Sequence, residues 1–269
     1  MHNIINMDFY RLVTSKSFKI STTLVFIISL LSKLINKGLY ELLGRLSEQI
    51  SENGGAEVEP LAAYPASVNF SSLLCSPFGY TVLIVLCLIC MIGFAYSDIA
   101  NGYIKNFAGQ MSAKGNTVIS KFIVTAFLNL FYMTAALAGS TIGEAVVRTV
   151  DLDADVPQGI LTFFLKFLLL QALCTILLFF TAGIRQKTLA TVAGVVLGSG
   201  MLGLAYMGLN AMIGKVFKTD SFNINDYAPD SLLTSGGNVA VFNALIVSAV
   251  IIAIFLPLTV RIFNRSDVK

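Results

Sequence analysis

Gly79-Tyr80-Thr81-Val82-Leu83-Ile84-Val85-Leu86-Cys87-Leu88-Ile89-Cys90-Met91-Ile92-Gly93-Phe94-Ala95-Tyr96-Ser97 carries no Asp, Glu, Lys or Arg. As a helix it is close to the roughly 20 residues that cross about 30 Å of hydrocarbon. Five more apolar runs of comparable length surround it, at about 18–36, 119–143, 160–183, 189–213 and 240–261. Lipid offers no partner to a free backbone N–H or C=O, so each run must be helical. The whole composition agrees, with 56% hydrophobic residues, 12% charged and a mean hydropathy of +0.79, against roughly 25% charged in soluble chains. The expected fold class is an all-α polytopic membrane protein, six transmembrane helices in a single domain over residues 1–269.

Lys and Arg set the expected orientation. With both termini in the cytoplasm, eleven of the 18 basic residues fall inside: Arg11, Lys16, Lys19, Lys105, Lys114, Lys121, Arg185, Lys187, Arg261, Arg265 and Lys269. They cluster beside span ends, where the positive-inside bias acts. Only Asp8, Asp98 and Asp267 of the 15 acidic residues share that side. The first 19 residues lack a small-residue cleavage site after a short apolar core, so the first span is expected to remain in the mature protein.

Outside the spans, residues 1–17 form an expected interfacial amphipathic helix, with Ile5, Phe9, Leu12 and Val13 on one face and Asp8, Arg11 and Ser15 on the other. In the outer segment 37–78, Leu39, Leu42, Leu43, Leu46 and Ile50 follow helical spacing and Asn53-Gly54-Gly55 stops the helix. Pro60, Pro65 and Pro77 then predict an irregular connection over 59–78. A second outer segment, 214–239, carries Asp220, Asp226, Asp230 and the loop signal Ser235-Gly236-Gly237-Asn238.

Several residues within the spans have both a packing and a functional reading. Ala135, Gly139 and Gly143, like Ala190, Gly194 and Gly198, recur every four residues and make grooves for another helix, of this chain or of a second subunit. Cys87 and Cys90 have the spacing of a redox or zinc motif but sit in an apolar run, which favours simple packing. Asn129, Gln171, Thr175, Asn210 and Asn243 are expected to bond between helices, and Lys166 to snorkel from the outer end of the fourth span. His2, the single histidine, stands near the start of the chain and disfavours a histidine-based metal or acid-base site. With no nucleophile–base constellation in the spans, the chain is expected not to be an enzyme. No long basic patch supports a nucleic-acid partner.

The most informative polar stretch is 98–118, where Asp98-Ile99-Ala100-Asn101-Gly102-Tyr103-Ile104-Lys105-Asn106-Phe107 leads through a Gly/Ser/Asn-rich turn to Ser120-Lys121. Ile99, Tyr103 and Phe107 recur at i, i+4 and i+8, so a helix here presents one apolar-aromatic stripe beside Asn101, Lys105 and Asn106. The stripe needs a surface to bury against, either a protein or the lipid headgroups.

On this stretch, the amphipathic start and six spans in this length, the chain resembles the ABC-2 type permease subunits of ATP-binding-cassette exporters. The identifiable motif covers about residues 96–121, and the layout the whole chain. The resemblance implies an ABC-2 type exporter fold in a bacterial cytoplasmic membrane. It further implies a cytoplasmic coupling helix between spans two and three, with Asp98, Ile99, Tyr103, Lys105, Asn106 and Phe107 as contacts to a separate ATPase subunit. The chain has no G-x-x-x-x-G-K-[ST] phosphate loop, so ATP and magnesium would belong to that partner and no cofactor to this chain. A second permease copy or paralogue completes the implied assembly. The implied cargo is an amphipathic or lipid-like molecule, such as an antimicrobial peptide. The competing expectation is an ATP-independent secondary transporter or channel. No span holds an Asp or Glu at its centre to carry a proton or cation, which weighs against it.

Overall fold

The computed structural model describes residues 2–52, 64–75, 81–101, 115–217, 223–235 and 240–265. Ten helices occur among them: α1 (His2–Thr14), α2 (Lys16–Glu52), α3 (Phe70–Cys75), α4 (Thr81–Ala100), α5 (Asn116–Val147), α6 (Val156–Leu178), α7 (Lys187–Gly198), α8 (Leu202–Phe217), α9 (Pro229–Thr234) and α10 (Val241–Arg265). Two three-residue strands, β1 (Ser67–Asn69) and β2 (Thr149–Asp151), pair in parallel with Ser67 opposite Thr149. Five helical stretches are long and apolar enough to cross a membrane, and six if the bent pair α7–α8 counts as one span. The protein is an all-helical, multi-pass membrane chain carrying one small strand pair.

The break between α1 and α2 is a capping event. The Ser15 hydroxyl donates to the Leu12 carbonyl at 2.8 Å and accepts from the Phe18 amide at 3.2 Å, closing one helix and opening the next. Beyond it α2 runs for 37 residues without interruption, roughly 55 Å at helical rise. The amphipathic helix expected over 39–50 is therefore the projecting end of the first span and not a separate element. Nothing between Lys37 and Leu39 breaks the backbone, and the helix stops only at Glu52.

Helix α6 is the axis of the bundle, with 61% of its most apolar window buried, against 17% for the α2 span and 11% for α10. Helix α10 packs along α6 and α2 along α5, and these two helices are the least buried of the single-helix spans. The small-residue grooves are filled from within the chain. Gly139 and Gly143 lie against the backbone of α2, where an added Cβ at Gly143 would meet the Leu30 carbonyl at 2.8 Å. Gly194 and Gly198 receive Ile92 and Val85 of α4.

Local irregularities end the later helices. A π turn over Phe179–Gly183 closes α6, and Arg185 follows at φ 62, the one non-glycine residue with positive φ among those described. Helices α7 and α8 meet at 69° around Gly200, whose φ of +70 a side chain would strain. The connection expected to be irregular over 59–78 contains β1 and α3. Asp153 caps α3 by accepting from the Ser71 amide at 3.3 Å and from its hydroxyl. Segment 214–239 contains a 3₁₀ turn at Ile224–Asp226 and the short helix α9.

The α2–α5 contact generates a prediction. Gly139→Ala places a methyl against the Phe26 carbonyl and Ser29, an overpacking that commonly costs about 1–3 kcal/mol. Gly38→Ala meets nothing within 4 Å and removes a flexible residue from the helix. Size-exclusion thermostability should show a clear drop for the first and no drop for the second.

Candidate functional site

Among the described residues the most charged polar assembly inside the bundle lies at the end where α4 finishes and α5 begins. Asp98, two residues before the end of α4, turns its carboxylate inward. Arg11 Nη2 lies 2.6 Å from Asp98 Oδ1 and Lys121 Nζ lies 2.8 Å from Oδ2. Asp8 joins through Arg11 at 3.7 Å and accepts from the Ser120 hydroxyl at 2.6 Å. The Lys121 ammonium also sits 4.5 Å from the Phe94 ring centre and 3.5 Å from the Phe94 carbonyl. Two carboxylates thus meet two cations, with side-chain exposures of 0% for Asp8, 4% for Asp98, 3% for Lys121 and 24% for Arg11.

The same end holds Gly115, whose amide donates to Asn264 Oδ1 of α10 at 2.6 Å, and Arg185, which stacks 5.3 Å from the Phe263 ring. Residues 102–114, with Tyr103, Lys105, Asn106 and Phe107, lie outside the described residues, as does the far end of the chain from 266. Ile99 is half-buried. Both roots of the 102–114 segment are thus tied down: Asp98 and Lys121 to each other and to α1, and Gly115 to α10.

Placing Asp8 and Arg11 on the solvated face of α1 is corrected by this packing. Ile5, Asp8 and Leu12 stand at i, i+3 and i+7, and this mixed face is the one turned to the bundle; Asp8 and Leu12 are buried and Ile5 packs on the core. Phe9 instead stays partly exposed and meets Phe127 edge-to-face at 5.5 Å. The sequence carries one signal for this arrangement, an acid at position 8 followed three residues later by a base. It carries none for the distant partners.

At the opposite end of α5, Glu144 is buried between Lys33 at 3.2 Å and Arg148, whose Nε and Nη2 donate at 2.7 and 3.0 Å. The Arg148 guanidinium also faces the Tyr64 ring at 4.9 Å. Between these ends runs an uncharged network. Asn129 donates to Gln171 at 2.7 Å, Gln171 donates to the Phe122 carbonyl at 3.0 Å, and Cys87 and Cys174 border Asn129 at 3.4 and 3.5 Å. Cys87 and Cys90 are free thiols in apolar packing. No group of three or more metal-ligating side chains suited to an ion occurs among the described residues.

Lys166 departs from expectation. Its side chain is fully buried and its ammonium donates to the Ser235 carbonyl at 2.5 Å, at the end of α9. Helices α3 and α9 pack over α6 there, and this cover, which hydropathy does not register, blocks the snorkelling path.

No family model matches the chain, and no curated protein matches it.

Two predictions arise from the charged cluster. Asp98→Ala leaves Arg11 and Lys121 with the Asp8 carboxylate but without the one that bridged them, and removing one partner of a buried ion pair commonly costs about 3–5 kcal/mol. The unfolding midpoint should fall well below that of Asp98→Asn, which retains a hydrogen-bond acceptor. Separately, burial raises the Asp8 carboxyl above its ordinary value, against the lowering pull of Lys121 and of the Ser120 bond. A raised folded pKa makes this contribution greatest below the unfolded value of 3.8, and it is lost as the pH rises through the folded value. Asp8→Asn should therefore match or exceed the parent's stability at neutral pH, and the difference should shrink as the pH falls toward about 4. A variant less stable than the parent at neutral pH would contradict this sign.

Proposed function

We propose that this chain is the membrane subunit of an ATP-driven exporter of the ABC-2 type, with both termini and residues 98–121 on the cytoplasmic side. The observation that carries the reading is the anchoring of the described residues on both sides of 102–114. A segment that only rested on headgroups would need no fixed roots. One that transmits force from an ATPase needs roots attached to the helices it moves. Here one root is attached to α1 through Asp98, Arg11 and Lys121, and the other to α10 through Gly115 and Asn264. Asp98, with its carboxylate turned inward, is assigned as an anchor, while Tyr103, Lys105, Asn106 and Phe107 supply the contact to the ATPase and Ile99 begins their stripe.

Two of the four buried carboxylates among the described residues also favour an external energy source. Asp98 and Glu144 both lie within the last turn of a helix, and each is held by two cations. That arrangement suits fixed anchors better than groups that bind and release a proton or cation. Transport would proceed by alternating access between two copies of this chain, or this chain and a paralogue. The partner ATPases would supply ATP hydrolysis, and the cargo would be amphipathic or lipid-like.

Affinity purification of the tagged chain from its native membrane in mild detergent tests this reading. A stoichiometric ATPase chain with a phosphate loop is the expected companion. Aromatic anchors commonly contribute about 2 kcal/mol or more, roughly thirtyfold in binding. Tyr103→Ala/Phe107→Ala should therefore insert normally yet release that companion and lose substrate-stimulated hydrolysis. Retention of the ATPase at the parental ratio and turnover would refute the coupling assignment. Impermeant labelling should reach Glu57→Cys and Asp226→Cys in sealed cells but not Lys105→Cys.

A further inference from the structure

The chain has a cleft of about 480 Å³ beside the charged cluster, lined by Arg11, Thr14, Ser15, Ser17, Cys90, Gly93, Phe94, Ser97, Asn101 and Lys187. This lies within the roughly 300–1,000 Å³ of small-molecule sites. Its α4 wall is one helical stripe, because Gly93 and Phe94 lie three and four residues after Cys90, Ser97 lies four and three after them, and Asn101 follows four later. Along that stripe the surface changes from apolar to polar as the helix approaches its end. A ligand fitting both parts has a hydrocarbon portion and a hydrogen-bonding head.

The lining favours an anionic head. The ionised side chains on the lining are both cations, Arg11 and Lys187, while Asp8 and Asp98 lie beneath the surface and do not line the cleft. Donor capacity is open as well. Among the described residues Lys187, Ser17 and Asn101 have no side-chain hydrogen bond or ion pair, while the Arg11 guanidinium, already paired with Asp98 and Asp8, borders the cleft from the α1 side. The hydroxyls of Thr14, Ser15 and Ser97 bond backbone carbonyls three or four residues earlier in the chain and complete the rim. An ammonium, a guanidinium, a hydroxyl and a carboxamide approaching one space suit the several oxygens of a tetrahedral phosphate better than a planar carboxylate.

Gly93 gives independent support. It lies within an otherwise apolar helix where a Cβ would meet nothing within 4 Å, so its missing side chain keeps the apolar part of the cleft open. We propose that this cleft binds a phosphate-bearing anion, with Arg11, Lys187, Ser17 and Asn101 holding the phosphate oxygens and Cys90, Gly93 and Phe94 receiving the attached hydrocarbon. Basic pockets between helices at the membrane surface commonly hold anionic headgroups. The phosphate can belong to an anionic phospholipid or to a soluble phosphate ester, and the site does not depend on an ATPase partner.

The test uses the purified full chain in neutral detergent. Native mass spectrometry follows titration with dioctanoyl phosphatidylglycerol, dioctanoyl phosphatidylcholine and glycerol 3-phosphate. The anionic lipid should bind more tightly than the zwitterionic one, and both Lys187→Ala and Gly93→Leu should weaken it by about fivefold or more. Lys187 is exposed, so its variant reports on binding without threatening the fold, and the unliganded unfolding midpoint verifies this. Glycerol 3-phosphate competing at the affinity of the lipid assigns the site to soluble phosphate esters; a lipid at least tenfold tighter assigns it to the headgroup. Equal binding of the two lipids by the parent, or parental affinity in both variants, overturns the proposal.

Discussion

The Asp98 carboxylate, held between the Arg11 guanidinium and the Lys121 ammonium, joins three helices that lipid alone would leave weakly associated. Between membrane helices the hydrophobic effect supplies little, since lipid tails are as apolar as leucine. Association rests on close packing and on polar contacts. Helix α1 depends on this most, because it spans nothing. It is fixed to α5 by Asp8 and Ser120, to α4 by Arg11 and Asp98, and by the burial of Leu12. The end of α4 and the first turns of α5, the described residues on either side of 102–114, are joined at that junction.

The fold was legible in the sequence to the extent that the solvent dictates it. A bilayer requires long apolar helices, and the runs at 79–97, 119–143, 160–183 and 240–261 correspond to α4, α5, α6 with its π turn, and α10. What hydropathy could not register is continuity beyond the apolar run. Helix propensity carries α2 past Lys37 to Glu52 although the sequence turns amphipathic there. Nor did it register the bend at Gly200, which divides 189–213 into two short helices through one positive φ. The β1–β2 pair depends on contacts between segments about 80 residues apart and leaves no local periodicity.

The candidate site was less legible, for a related reason. Asp98 was prominent because it follows an apolar run, but its partners Arg11 and Lys121 come from elements far away in sequence. Position alone made all three look like aqueous flanks. Lys166 shows the same gap, since its burial follows from α3 and α9 folding over it. By contrast, Asn129 and Gln171 were read as interhelical partners from chemistry alone, because an amide in an apolar span has few other ways to be satisfied.

A buried cluster of two acids and two bases is a poor way to gain stability. Taking each charge from water costs several kcal/mol, and apolar replacements of similar volume are often neutral or better. What the cluster does supply is a defined position. An apolar contact between α1 and α5 would tolerate sliding by a turn. The Arg11–Asp98–Lys121 bridge has one geometry in which both carboxylate oxygens are paired, and a shift of a few ångströms leaves charges unsatisfied in a region with little water. Under the exporter reading, a displacement of residues 102–114 would thus be resisted until the bridge is broken or carried along, so α1 and the roots of α4 and α5 would move as one body. The neutral Asn129–Gln171 network lies deeper, where no net charge has to be moved, and can remain in place while the charged end shifts.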